Sequence, residues 1–107
     1  MKVSDLAEKL SLECINMAED TNVTDCYIGD MLSVVMSKAP EGGAWLTVQT
    51  NINITAVSAL VGLACVIVVE DMEIDDATVK KAQEQEITIL RTDMTAYELA
   101  VKISEHI

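Results

Sequence analysis

AWLTVQTNINITAVSALVGLACVIVVE, from Ala44 to Glu70, reads as strand, helix and strand in direct succession. In AWLTVQT, Ala44, Leu46 and Val48 alternate with Trp45, Thr47 and Gln49, the two-residue period of an extended chain. NITAVSALVGL changes to a helical period, and ACVIVVE returns to an extended one without polar alternation. A strand apolar on both faces belongs in a sheet covered on both sides. Strands joined by a helical crossover lie parallel. The stretch therefore predicts a parallel sheet held between helical layers.

The same rhythm continues in both directions. Towards the C-terminus follow a helix, DDATVKKAQEQ, a strand, ITILRT, and a final helix, TAYELAVKISEHI. Towards the N-terminus lies DMLSVVMSKA, a helix with Asp30 placed to cap it and Pro40, Gly42 and Gly43 to stop it. CYIG before it is a strand ended by Gly29. VSDLAEKL opens the chain as a helix, with Ser4 as its cap and Leu6, Ala7 and Leu10 as its apolar stripe. LECINM is a short strand, and AEDTNVTD is polar turn sequence. The expected fold is one α/β domain over residues 1–107, a three-layer αβα sandwich. Its mainly parallel sheet should hold about four to five strands. Sheet order and the direction of the N-terminal strand stay open.

Half of the 107 residues are apolar, Phe is absent, and Tyr27, Trp45 and Tyr97 are the only aromatics. The core must be built from Val, Ile, Leu, Ala and Met. A formal charge of −11 repels nucleic acid and anionic membranes. Cys14, Cys26 and Cys65 are odd in number, have no metal spacing, and read as buried thiols of a reducing compartment. There is no secretory signal pattern, and the apolar run from Ile54 to Val69 is too short and interrupted to span a membrane. A cytoplasmic protein is expected.

Thr50, Asn51 and Asn53 follow AWLTVQ at the expected carboxyl end of a parallel strand, where open α/β sheets bind ligands. Two readings stand. Either Gln49, Thr50, Asn51 and Asn53, joined by Thr92, present amides and hydroxyls to a nucleotide-like ligand, or they only cap the helix and fill the connection. Asp93 reads as another helix cap. Glu70, Asp71, Glu73, Asp75 and Asp76 lack ordered ligand spacing and read as a solvated acidic turn. The rival class is a metal-assisted hydrolase or transferase using Asp30, Glu70 and Asp93. Against it, the only histidine is His106 in the tail, and no GxxxxGK[ST], GxGxxG, CxxC or GxSxG motif is present. No cofactor and no metal site are expected.

Two helices carry more apolar residues than one buried stripe needs. They are DMLSVVMSKA and NITAVSALVGL, and Met31, Val34, Val35, Val57 and Leu60 are their candidate interface residues. A homodimer is the expected partner state.

YIGDMLSVVMSKAPEGGAWLTVQTNINITAVSAL followed by CVIVVEDMEIDDATVKKAQEQEITIL resembles the DRTGG domain family. The likeness is strongest to its small stand-alone members, similar to the N-terminal domain of HPr kinase. It runs from VSDLAEKL to TAYELA and is sharpest at GDMLSVVM, at AWLTVQT with Asn53 behind it, and at VVE ending in Glu70. The DRTGG tract itself is absent, AWLTVQT stands in the comparable region, and INMAEDTNVTD replaces a Gly-rich turn. The resemblance implies a non-catalytic regulatory or accessory domain that assists subunit association. It also implies a role with a small ligand or a protein partner. It implies no kinase activity, because the phosphate loop of HPr kinase belongs to a separate catalytic domain.

Overall fold

The computed structural model describes residues 1–107. Elements follow in the order α1 (Val3–Lys9), β1 (Glu13–Asn16), β2 (Asp25–Ile28), α2 (Leu32–Lys38), β3 (Gly43–Thr47), α3 (Asn53–Val61), β4 (Cys65–Val68), α4 (Asp76–Gln85), β5 (Ile89–Arg91) and α5 (Ala96–Ile103). The five strands form one sheet in the order β1-β5-β4-β3-β2. From β2 to β5 all neighbours are parallel, as helical crossovers require. β1 is antiparallel to β5, with a register shift between Cys14 and Asn16. That settles the direction of the N-terminal strand.

Alternation along the strands divides the interior in two. Ala44, Leu46, Cys65, Ile67 and Leu90 face a core completed by Val3 and Leu6 of α1 and by Leu99 and Ile103 of α5. Trp45, Val66, Val68 and Ile89 face the other core, with Val35 of α2, Ile54 and Val57 of α3, and Ala82 of α4. The result is the three-layer sandwich. Trp45 is wholly buried, and its indole N–H donates to Gly29 O at 2.7 Å. Truncating so large a core side chain costs about 3–5 kcal/mol.

Three helix starts differ from the sequence expectation. Ser4 lies inside α1, where its N–H and hydroxyl donate to Asp20 instead of capping. α2 begins after Met31 with no side-chain cap, because the Asp30 carboxylate reaches across to β3. Asp93 is exposed and caps nothing. Thr95 starts α5 in a capping box, exchanging hydrogen bonds with Glu98. Both backbone and side-chain bonds from Thr95 hold the Glu98 carboxyl below its ordinary range. At the far ends, Gly62 closes α3 at φ +77°, whereas α4 ends on Glu86 at φ +57°.

Candidate functional site

β3 ends at Thr47, earlier than AWLTVQT suggested, and the residues after it form a closed polar cluster. Asp30 Oδ1 accepts from the Thr47 hydroxyl at 2.8 Å and from Val48 N–H at 2.9 Å. Gln49 donates from Nε2 to Asp30 O at 2.9 Å, and its Oε1 accepts from Asn51 Nδ2 at 2.8 Å. Asn51 Oδ1 in turn accepts from Asn53 N–H at 2.9 Å, which makes Asn51 the residue serving the start of α3. Asn53 is the first helical residue and is exposed. Thr50 O accepts from the Thr78 hydroxyl at 2.8 Å, tying the cluster to α4. Gln49, Thr50, Asn51 and Asn53 are thus brought together. No buried side-chain nitrogen or oxygen lacks a partner.

Thr92 does not join them. It follows β5 directly, with β4 lying between that strand and β3. Its N–H donates to Val68 O, and its hydroxyl oxygen accepts from Met94 N–H. The three cavities of the surface also lie away from the cluster. They sit between β2 and α5, at the amino ends of β4 and β5, and beside Arg91.

Strand order relocates the ligand crevice that an open α/β sheet provides. Such a crevice forms where successive connections leave towards opposite faces of the sheet. The chain leaves β2, β3 and β4 towards the face covered by α2, α3 and α4, but leaves β5 towards α5 on the other face. The divergence lies between β4 and β5, not at the end of β3. There Glu70 and Asp71 both adopt left-handed backbone, at φ +61° and +57°. Glu70 N–H donates to Met94 O at 2.8 Å and Asp71 N–H to Thr92 O at 2.9 Å, which stitches the crevice shut. Arg91 braces the turn, donating from Nε to Met72 O and from Nη2 to Asp71 O, both at 2.7 Å. It also pairs with the Asp71 and Glu13 carboxylates. Sequence reasoning missed Arg91. Its signal was available as the only arginine in an acidic chain.

The three carboxylates of the metal-centred alternative are not gathered at one site. Asp30 is committed to β3, while Glu70 and Asp93 are exposed on separate connections. No three His, Cys, Asp or Glu side chains gather in a position to hold a metal ion.

A family model described as the DRTGG domain matches residues 5–106. The chain belongs to the DRTGG domain family. A solved structure with the same fold holds the CBS and DRTGG domains of the regulatory region of the Clostridium perfringens pyrophosphatase, complexed with its activator diadenosine tetraphosphate. The two share 16% identity with a TM-score of 0.74, over 92% of this chain and 44% of that one. This DRTGG domain thus spans less than half the length of that relative. No curated protein matches the sequence.

The DRTGG domain sorts its candidate interface residues into two groups. Met31 is 66% exposed, Val34 37% and Leu60 73%. Val35 and Val57 face the sheet and are buried, at 0% and 4%, so they cannot meet a partner surface directly. The thiols separate as well. Cys65 is buried as expected, Cys26 is half-buried, and Cys14 is exposed on the β1 edge strand, contrary to expectation. Burial pushes the Cys26 thiol up to about 11 and the Cys65 thiol up to about 12. No helix is long and apolar enough to cross a membrane.

Proposed function

We propose that this DRTGG domain is a non-catalytic regulatory or accessory module that acts through self-association as a homodimer. One observation carries the reading. In a chain with eighteen acidic residues, neither α2 (LSVVMSK) nor α3 (NITAVSALV) contains one. Their outer surface instead exposes Met31, Val34, Met36, Ile52 and Leu60. Two copies at −11 each repel one another overall, and least where such an acid-free face is presented. A twofold contact there buries apolar surface without bringing carboxylates together. Three unpaired thiols suit a cytoplasmic setting.

Sedimentation equilibrium of the intact chain tests this. A dimer mass at micromolar concentration is expected, strengthened by salt as the net charge is screened. Leu60→Asp or Val34→Asp should give a folded monomer, because the contact would bury an unpaired carboxylate. A monomer mass for the unchanged chain at ~100 μM, a concentration at which contacts of modest free energy are populated, overturns it.

A second reading assigns a nucleotide-like ligand to Gln49, Thr50, Asn51 and Asn53 at the start of α3. Its support is the diadenosine tetraphosphate complex of the pyrophosphatase region, together with the side-chain amides gathered at the start of α3. Thr92, buried behind β4, is left out of it. The ligand would displace the Asn51–Gln49 bond. Thermal-shift titration with diadenosine tetraphosphate and ATP should give saturable stabilisation that Asn51→Ala weakens. A flat response with both nucleotides rejects this reading.

A further inference from the structure

The sheet ends at β2, whose only strand partner is β3. Gly29 N–H donates to Leu46 O at 3.2 Å, so strand alternation turns the main-chain groups of Cys26 and Ile28 towards the free edge. The outward N–H of Cys26 is met by the carboxylate of its own neighbour, Asp25, at 2.8 Å. That oxygen stands where the carbonyl of an adjoining strand would stand.

Along this edge runs a groove of about 430 Å³ lined by all four residues of β2. Ala100, Ile103 and Ser104 line it from α5 and the residue after it at one-face helical spacing, and Ile107 lines it as well. Ile28 and Ile107 leave 50% and 43% of their surface in water. An unpaired main-chain edge beside an apolar wall suits an extended chain. Main-chain bonds occupy the edge, and every second side chain enters the groove. Asp25 is the only charged residue of the lining, in a chain of charge −11. Both facts favour a basic occupant, whereas a second copy would bring another Asp25 to the same edge.

We propose that β2 and the end of α5 form a docking groove for an extended segment of a partner protein, apolar at alternate positions and basic between them. The segment adds to β2 as a further strand. Its carbonyl takes over the Cys26 N–H, and the released Asp25 carboxylate pairs with a basic side chain. The groove lies on the sheet face opposite α2 and α3, so it is independent of self-association through those helices.

The test uses the intact chain and short capped peptides alternating valine with lysine or valine with glutamate, followed by amide NMR. The lysine peptide should shift residues 25–28 and 100–107 saturably and protect the amides of Cys26 and Ile28 from exchange. Ile28→Pro removes an outward donor without touching the β3 ladder, and should weaken binding at least tenfold in a protein that stays folded. Asp25→Lys should transfer preference to the glutamate peptide. The proposal is overturned if neither peptide shifts these amides, if Ile28→Pro binds equally well, or if shifts spread over the acidic surface without saturation. Concentration-dependent shifts of the same amides without peptide also overturn it, since the edge would then be paired with a second copy.

Discussion

The Thr47 hydroxyl donates to Asp30 Oδ1 at 2.8 Å, a bond that ties the entrance of α2 to the carboxyl end of β3. Thr47 is buried, so Asp30→Ala leaves its hydroxyl without an acceptor and Val48 N–H to water. The expected loss is about 1–3 kcal/mol in urea unfolding. Asp30→Asn retains an acceptor and should lose less. A double cycle with Thr47→Val should show coupling between the two sites. If Asp30→Ala costs no more than Asp93→Ala at the exposed control position, the bond contributes nothing to stability.

The paired left-handed residues at the β4–β5 crevice make opposite predictions for neighbouring positions. Glu70→Gly relieves backbone strain and should stabilise by up to about 1 kcal/mol, part of which is returned through the freer unfolded chain. Arg91→Met removes the donors that hold Asp71 O and Met72 O, and should destabilise by roughly 1–2 kcal/mol. Thermal unfolding of the two variants should therefore shift in opposite directions. A neutral Arg91→Met would show that the stitched amides alone hold the turn.

Thiol titration should follow burial. A chromogenic disulfide reagent should label Cys14 rapidly, Cys26 slowly, and Cys65 only as the chain unfolds. Immediate labelling of all three would contradict the packing of β4.

The same thiols shape the alkaline limb of stability. Below pH 9.0, the ordinary thiol value, folded and unfolded chains both hold the Cys65 proton and stability is complete. Above it the unfolded chain ionises first, because the folded thiol holds its proton to about 12. Stability should therefore fall between those limits as pH rises. Cys65→Ala should flatten that limb while lowering the plateau. Parallel alkaline limbs for the two proteins would contradict the upward shift.

Much of the fold was legible because side-chain period is a local property. AWLTVQT sends Ala44 and Leu46 to one core and Trp45 to the other, as its alternation required. The apolar ACVIVVE lies centrally in the sheet, and the helical crossovers impose parallel neighbours from β2 to β5. The acid-free character of α2 and α3 is likewise a property of sequence alone.

Tertiary structure decided which polar group meets which partner, because that depends on where distant strand ends lie. Asp30 and Ser4 both stand beside helix starts, yet bond to β3 and to Asp20, each more than a dozen residues away. Strand order placed the crevice between β4 and β5, where Glu70, Asp71 and Arg91 close it, and set Thr92 apart from Asn51. Helix rotation on the sheet separated buried Val35 and Val57 from exposed Val34 and Leu60. Composition cannot distinguish those neighbours. The rotation follows from Trp45, Val66 and Val68 packing against one stripe of each helix, a nonlocal contact that no window of sequence contains.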